Sequence, residues 1–478
     1  MTIPEPDTIC DPLWKRATSF PVLLAFIIAA AIYAFATRGI ADPDIWWHLR
    51  NAETLVRTGS MVRQDTYSFT VHGARWINHE WLSELPYYFG WRWFGPRGLY
   101  FVLVVAVETI LMGVFYLSYL ASRNIKATFL ASFAALYLAT VSFGPRTLLF
   151  GWILLVVELI ILEQYKAGKN YLWLLPLTFA VWVNIHGSWL IGLVLLAVFI
   201  TSGAISGEWG RVEAKRWSPA QARNLLATAA ASMAALFLNP YGYRLVFYPF
   251  DLAFRQKENV AHVQEWHSLD LHSLRGKIIF GMLAAILVLA LTRRRRWRVD
   301  EALFVLIAFY SAFIYSRFLF LAAIVVTPIL AKELSFISPY QRETDKRLLN
   351  ALVMIVVIGY GIWKFPTPAQ LMQATSEEYP AKALSYLQQF RPEGRVFNDY
   401  LWGGYLIWNV RHVPVFVDSR VDIYEYAGVF HDYLDAISVK GSFEILDKYH
   451  IRYVLFSKAT PIVYLLRHST GWKTDYDD

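Results

Sequence analysis

The sequence is poor in cysteine and in charge. Its single cysteine, Cys10, lies in the N-terminal tail, so any part of the chain outside the cytoplasm must be stable without internal disulfide bonds. Asp, Glu, Lys and Arg make up only 17% of the residues, whereas 56% are hydrophobic and 17% are aromatic. A chain of 478 residues with this composition is too apolar to be a soluble globular protein.

Several functional signatures are missing as well. The sequence has no glycine-rich phosphate loop, no zinc-like spacing of Cys and His and no nucleophile elbow, which disfavours soluble nucleotide chemistry. Basic residues cluster in short loops, so the net charge of +8 does not indicate a nucleic-acid partner. No small-residue cleavage site follows the first apolar run, which therefore predicts a signal anchor rather than a cleaved signal peptide.

Long apolar runs, in contrast, are abundant. They recur from residue 20 onward and predict a polytopic α-helical membrane protein with about eleven transmembrane helices. The predicted spans cover residues 20–37, 98–120, 127–143, 147–164, 171–185, 188–202, 224–238, 277–291, 301–315, 318–331 and 348–365.

The basic loops set the expected orientation of the chain. Short loops rich in Lys and Arg mark the cytoplasmic side of a membrane, and a cytoplasmic N-terminus places all of these loops inside. We therefore expect a multi-pass protein of the plasma (inner) membrane. The expected parts are a cytoplasmic tail (1–19), a transmembrane domain (20–365) with a first external loop (38–97), and an extracytoplasmic C-terminal domain (366–478).

Two juxtamembrane helices are predicted in the first external loop. Asp44 can cap the first helix and Gly59 can end it, while the second covers residues 78–93 and must bend or break at Pro86. Both are expected to lie in the membrane interface. The apolar positions expected for the first helix are Ile45, Leu49, Ala52 and Val56, with Trp46 and Trp47 as interfacial anchors.

The C-terminal domain changes character. Predicted helices alternate there with strands at 395–398, 413–417 and 452–456, which indicates a small α/β domain with a mainly parallel sheet. At about one hundred residues it is long enough for a core of its own.

Asp42 and Asp44 are the first candidates for chemistry. On a loop, two carboxylates at this spacing can point into one site, where one abstracts a proton and the other holds an acceptor hydroxyl or a metal. His48, His79 and Glu80 share the loop, and a cluster with both aspartates would suit one divalent cation, such as Mg²⁺ or Mn²⁺. The alternative is that Asp44 only caps a helix and that the other side chains only line a wet loop.

Candidate anion-binding residues lie in very short external turns. Arg146 and Arg317 are each held at the membrane surface by two adjoining helices, where an unpaired guanidinium is costly and a lipid-linked phosphate is a suitable partner. The alternative for each is snorkelling to the interface. His186 occupies an equally tight turn.

Further candidates come from the remaining external segments. Glu265 lies in the loop 239–275, which could close over the site. Asp399, Asp418 and Arg420 follow predicted strands, where open α/β sheets bind ligands, although capping and turn formation explain them equally well.

Several motifs together resemble a known group of proteins. The segments DPDIWWHL, NHEWLSELPYY, NIHGSWLIG, NPYGYR and FNDYLWGGYLIW resemble bacterial members of the GT-C superfamily, which contains membrane glycosyltransferases such as protein O-mannosyltransferases, the lipid A aminoarabinose transferase and the oligosaccharyltransferase catalytic subunit. The sequence departs from the oligosaccharyltransferase pattern at residues 144–146, which lack an acidic motif, and at NDYLWGG, which matches the WWDYG motif only loosely.

The resemblance implies an inverting glycosyltransferase that takes a sugar from a polyprenyl-phosphate-linked donor. The acceptor would be an extracytoplasmic glycan, lipid or protein. Asp42 or Asp44 would activate the acceptor hydroxyl, and cationic side chains would stabilise the departing phosphate. The residues implied for this second role are Arg146, Arg317 and His186.

Two other functions stay open at this point. Glu108 and Glu158 fall inside predicted spans, where a carboxylate is a functional candidate by default, so a lipid-linked glycan or ion-coupled transporter is one alternative. A non-catalytic membrane scaffold is the other.

Overall fold

The computed structural model describes residues 12–36, 40–293 and 295–478. Cys10, most of the predicted cytoplasmic tail, the start of the first external loop and Arg294 lie outside the described residues. Helices dominate the described chain, as predicted.

The first four helices include both helices predicted in the first external loop. They are α1 (Leu13–Ala17), α2 (Phe20–Phe35), α3 (Asp44–Thr58) and α4 (Trp81–Phe94). α3 ends at Gly59, whose φ of +67° suits a residue without a side chain. α4 continues through Pro86 without a break.

The next apolar runs form a helical bundle. Its members and a following hairpin are α5 (Pro96–Ser122), α6 (Ile125–Ala139), α7 (Leu148–Lys166), α8 (Leu174–Trp182), α9 (Trp189–Ser202), β1 (Gly207–Trp209), β2 (Val212–Ala214) and α10 (Pro219–Ala235). α10 starts with a capping box formed by Ser218 and Gln221.

The second half of the bundle contains a loop with two helices of its own. The elements are α11 (Tyr243–Arg255), α12 (Lys257–His262), α13 (Leu274–Thr292), β3 (Trp297–Arg298), α14 (Val299–Ile314), α15 (Leu319–Glu333) and α16 (Arg347–Trp363). β3 lies parallel to β2, which pairs antiparallel with β1, so the basic loops 211–223 and 293–298 meet in one small sheet.

Each predicted span coincides with a helix, but not every helix is long enough to cross a bilayer alone. Among the described residues five helices meet the length and hydropathy expected of a span, or up to six if α16 and the next helix, which meet at a 65° bend, count as one. α2 and α9 are apolar but shorter. The number of about eleven crossings therefore stays a prediction.

The C-terminal part alternates helices with two parallel strands. The elements are α17 (Pro368–Glu378), α18 (Ala381–Phe390), β4 (Arg395–Asn398), α19 (Tyr400–Asn409), α20 (Val421–Tyr426), α21 (Val429–Ile437), α22 (Ser442–Lys448), β5 (Ile451–Leu455) and α23 (Pro461–Arg467). β4 pairs with β5.

The strand predicted at 413–417 is wrong. This segment makes a single bridge, between Val415 and Ser68 of the first loop. The side chain of Asn398 takes the place of a neighbouring strand, because it accepts a hydrogen bond from the Phe416 amide and donates one to the Val417 carbonyl, both at 2.8 Å.

Two hydrophobic cores are present, and the second is shared. One lies within the helical bundle. The other joins α3, α4 and the loop between them to residues 379–466. Trp46 and Trp47 are buried in this second core rather than facing a membrane interface, and Trp46 packs edge-on against Tyr405 of α19 at 4.8 Å. The C-terminal part thus does not enclose a core of its own.

Candidate active site

The acidic motif lies where the first loop begins α3. Pro43 precedes the helix and Asp44 is its first residue, so Asp44 does not cap it as expected. Instead, Asp42 Oδ1 accepts a hydrogen bond from the Asp44 amide at 3.0 Å. The capping carboxylate is therefore Asp42, and the Asp44 side chain is free for other contacts.

Asp42 is also committed to an ion pair. Its Oδ2 lies 2.5 Å from Arg146 Nε, and Asp42 is only 6% exposed. Arg146 pairs at the same time with Glu265, so two carboxylates share one guanidinium. Although burial opposes it, Asp42 and Glu265 raise the pKa of Arg146 above its ordinary value. Arg146 is therefore protonated, and its charge is balanced by two carboxylates, so it does not present a free charge to a donor phosphate.

Asp44 has a different environment. It is half-buried, and its Oδ1 accepts a hydrogen bond from Trp47 Nε1 at 3.2 Å. The same indole nitrogen lies 3.1 Å from the hydroxyl of Ser419, which comes from the C-terminal part. Burial and the negative charge of Asp42 raise the pKa of Asp44 to about 7. A carboxylate with a pKa near neutrality suits a general base that must both take and release a proton.

Glu80 holds three imidazoles together. Its carboxylate lies 3.3 Å from His48 Nε2, 3.5 Å from His79 Nε2 and 3.3 Å from His186 Nε2. These imidazoles outweigh burial and keep the pKa of Glu80 below its ordinary value. Burial lowers the pKa of His186 to about 3, so this imidazole is neutral at physiological pH.

Arg317 is the other cation beside this cluster. It lies in a single 3₁₀ turn, Ser316–Phe318, and its guanidinium stacks on the Trp266 ring at 4.1 Å. Within the described residues it forms no ion pair. The charge of Arg317 acts on Glu265 and on His186. Although burial opposes it, Arg146 and Arg317 hold the pKa of Glu265 below its ordinary value. Together with burial, Arg317 lowers the pKa of His186 and so helps to keep this imidazole neutral.

The fold is similar to that of solved membrane enzymes. Neither a protein-family model nor a curated protein sequence matches the chain. A crystal structure of the Archaeoglobus fulgidus oligosaccharyltransferase, tethered with an acceptor peptide containing the NVT sequon, superposes with a TM-score of 0.57 and 13% identity, covering 92% of this chain and 68% of that one. This chain has an oligosaccharyltransferase-like fold. A second structure is that of archaeal oligosaccharyltransferase AglB from the same organism, in complex with an inhibitory peptide and a dolichol-phosphate. It superposes with a TM-score of 0.57 and 12% identity, covering 92% of this chain and 69% of that one.

The oligosaccharyltransferase-like fold brings most of the predicted site residues together. They converge from five separate segments, each predicted to be external, that lie far apart in the sequence. The residues that form this cluster are Asp42, Asp44, His48, His79, Glu80, Arg146, His186, Glu265 and Arg317.

Three predicted contacts lie elsewhere in the fold. Asp399 caps α19 by accepting a hydrogen bond from the Leu401 amide at 2.9 Å. Asp418 and Arg420 are buried and bonded to each other at 2.6 Å, and Arg420 also reaches Asp65 of the first loop at 2.7 Å. Because both are buried and Arg420 bridges Asp418 and Asp65, these two residues connect the first loop to the C-terminal part.

The side chains expected to hold a metal do not fit one. Among the described residues no group of three His, Cys, Asp or Glu side chains could hold a metal ion. Asp42 faces Arg146, and Glu80 faces His79 and two other imidazoles, so both carboxylates already have partners where a cation would need them. We derive no step through a metal.

The sequence reasoning missed Glu84. Its carboxylate accepts hydrogen bonds from Asn51 and Asn78 and lies 3.0 Å from His48 Nδ1. It therefore orients the imidazole that contacts Glu80. The spacing of Glu80 and Glu84, four residues apart at the start of a helix, could have revealed it, because such residues share one helix face.

Asp422 was missed as well. It accepts a hydrogen bond from the Tyr248 hydroxyl at 2.9 Å, and the Tyr248 ring packs against His79 at 4.6 Å. Burial raises the pKa of Asp422 to about 6. No sequence motif indicated Asp422, because it lies in α20, outside the motifs that predicted the other site residues.

Proposed function

We propose that this protein is a membrane glycosyltransferase that transfers a sugar from a polyprenyl-phosphate-linked donor to an extracytoplasmic acceptor, with Asp44 as the general base. The observation that carries the proposal is the placement of a half-buried carboxylate with a pKa near 7 in one cluster with an unpaired arginine, Arg317. The similarity to oligosaccharyltransferases supports the fold on which this site is built.

Asp44 and Arg317 divide the reaction between them. Asp44 takes the proton of the acceptor hydroxyl, whose oxygen attacks the anomeric carbon from the face opposite the leaving group. The bond from that carbon to the phosphate oxygen breaks, and its electron pair stays with the lipid phosphate. Arg317 stabilises the negative charge that develops there. The configuration of the sugar inverts.

Asp42 has a supporting role in this scheme. It holds the first turn of α3 through the Asp44 amide and neutralises Arg146. Its negative charge raises the pKa of Asp44 and thereby strengthens the base. Of the two aspartates that the sequence left equivalent, Asp44 is the base and Asp42 is a positioning residue.

The transporter alternative receives no specific support. Glu158 of α7 is fully buried, and both of its oxygens are without a hydrogen-bond partner among the described residues. It lies beside Gly192, which packs it into the helix bundle. Nothing in the described contacts connects it to Glu108.

Transfer of radiolabelled sugar from a polyprenyl phosphate to a panel of acceptors tests the proposal. We expect Asp44→Asn to lower the rate by roughly 10²- to 10⁴-fold, because a general base contributes about that much. Asp42→Asn should retain measurable transfer. Asp447→Asn, on the exposed side of α22, is the matched control and should leave the rate unchanged. Full activity of Asp44→Asn would exclude it as the base.

A further inference from the structure

An open cavity lies beside α3, outside the cluster described above. It encloses about 700 Å³, a volume in the usual range of roughly 300–1,000 Å³ for ligand sites. Its wall consists of the last turns of α3, the segments 60–66 and 75–77, and the start of α11. We call it the arginine cavity, after Arg63, Arg75 and Arg244, which line it.

The charge of this cavity is of one sign. Its lining includes three arginines and no Asp or Glu. All three arginines are exposed, and none forms an ion pair within the part of the chain that the structure describes. The Arg63 guanidinium lies over the Tyr241 ring at 5.3 Å and donates a hydrogen bond to the Pro240 carbonyl at 3.3 Å. A cleft lined by cations concentrates anions, and unpaired guanidinium groups bind carboxylate or phosphate with two parallel hydrogen bonds.

The rest of the lining suits a sugar. Ser60, Gln64 and Thr66 line the cavity, and their side chains form no hydrogen bond with any described residue. They can therefore pair with the hydroxyl groups of a ligand. Tyr241 adds a half-buried ring that a sugar face can cover. Arginines alone would suit any anion, whereas free hydroxyl and amide groups between them favour a polyhydroxylated one.

The wall of the cavity contacts residues that adjoin the candidate active site. Trp76 lines the cavity and packs edge-on against Trp47 at 5.5 Å, and Trp47 donates the hydrogen bond to Asp44. The Asn78 amide donates to the Tyr241 hydroxyl at 3.2 Å, two residues before Glu80. A ligand in the cavity thus contacts the same short segment that supplies the catalytic cluster.

We propose that the arginine cavity binds an anionic saccharide, carrying carboxylate or phosphate groups, that forms part of the acceptor. This inference rests on the proposed function, because the acceptor role presupposes a sugar-transfer reaction. It assigns the acceptor to the class of acidic glycans rather than to peptides or lipids.

Binding to the purified full-length protein, measured by calorimetry in detergent, tests the proposal. Trigalacturonic acid is the anionic probe and maltotriose the neutral one. We expect trigalacturonic acid to bind and maltotriose to bind much more weakly. Replacing Arg63, Arg75 and Arg244 by Gln should weaken binding by roughly tenfold or more per arginine, because each loses a charge-assisted hydrogen bond. Arg57→Gln, exposed on α3 but outside the cavity, is the matched control and should bind like the wild type.

Several results would overturn the assignment. Wild-type protein that does not bind trigalacturonic acid, or a triple variant that binds it normally, would remove the role of the arginines. A triaspartate peptide binding as tightly would indicate a peptide site, and glycerophosphoglycerol binding as tightly would indicate a lipid headgroup site. Unchanged thermal unfolding of the triple variant shows that lost binding is not lost folding.

Transfer assays separate this inference from the proposed function. Asp44→Asn should bind trigalacturonic acid as the wild type does, because Asp44 lies outside the cavity. Sugar transfer that depends on Asp44 but not on the three arginines would leave the glycosyltransferase proposal intact and overturn the acceptor class. Binding that depends on the arginines, in a protein without transferase activity, would overturn the proposed function and with it the acceptor role of the bound saccharide.

Discussion

Asp42 and Asp44 are two residues apart, yet their carboxylates lie in different environments because of their neighbours. Asp42 is buried against Arg146, a residue 104 positions away. Asp44 is half-buried, accepts a hydrogen bond from the Trp47 indole and is exposed to the negative charge of Asp42. Desolvation and a neighbouring negative charge both disfavour the charged form of a carboxylate, so the pKa of Asp44 rises. No local feature of the sequence separates the two, since the difference depends on that distant arginine.

The pH dependence of transfer follows from this arrangement. The pKa of Asp44 is raised to about 7, and a base must be deprotonated, so the rate should rise as the pH passes through 7 and level off above it. Asp42→Asn removes a negative charge that raises this pKa, and the midpoint should therefore move to lower pH. Rates measured at saturating donor between pH 5 and 9 check this. A midpoint that moves to higher pH would contradict the coupling.

Arg317 is expected to act on the leaving phosphate. Arg317→Gln should lower kcat by roughly 10²- to 10³-fold, the usual effect of losing one preorganised group that stabilises charge in the transition state. Arg317→Lys should recover part of the rate, because it keeps the charge but not the planar fork. Arg293, which stacks on Phe336 at 3.7 Å in the same way, is the matched control. If Arg293→Gln lowered transfer equally, the effect would not be specific to the site.

At the scale of elements, two glycines let α19 pack closely against its neighbours: Gly404 against the start of α3 and Gly403 against residues 417–418. A side-chain carbon at Gly404 would lie 2.5 Å from the Pro43 carbonyl, and one at Gly403 would lie 2.3 Å from the Val417 carbonyl. Both obstacles are backbone atoms, which cannot turn aside. The two glycines of the segment NDYLWGG therefore allow close backbone packing of α19 with the start of α3 and with residues 417–418.

Gly404→Ala should disturb this contact. Overpacking of this kind costs about 1–3 kcal/mol, so we expect a lower unfolding temperature together with loss of transfer, as Pro43 and Asp44 are pushed aside. Gly281→Ala is the matched control, because Gly281 is also helical but has no atom within 4 Å of an added carbon. Its unfolding temperature should not fall. A Gly404→Ala protein with normal stability and activity would show that α19 does not position α3.

Helix positions followed from the sequence better than strand positions did. The apolar runs gave the helices of the bundle because burial at helical spacing is a local property. The segment 413–417 alternates like a strand but is completed by the Asn398 side chain and by a bridge to Ser68. Ser68 lies more than three hundred residues away in the chain, and a contact with so distant a residue leaves no periodic pattern in the local sequence. The burial of Trp46 against Tyr405 was missed for the same reason.

At the scale of the whole molecule, the two ends of the helical bundle differ in chemistry. One end carries the loops predicted to be cytoplasmic, and these contact one another: Arg211 donates to the Arg293 carbonyl at 2.6 Å, and Lys332 pairs with Glu301 at 2.6 Å. The first external loop and the C-terminal part share the second core. The orientation expected from the charge of the basic loops stays a prediction.

The single cysteine makes this orientation testable. In a Cys10→Ser background, a new cysteine at position 215 in the basic loop or at position 412 in the C-terminal part is the only thiol, and both Lys215 and His412 are exposed. A membrane-impermeant maleimide added to intact spheroplasts should label His412→Cys and leave Lys215→Cys unlabelled, because basic loops are retained in the cytoplasm. Detergent should make both react, which controls for accessibility. Labelling of position 215 in intact cells would place the basic loops outside and the catalytic cluster inside, where an extracytoplasmic acceptor could not reach Asp44.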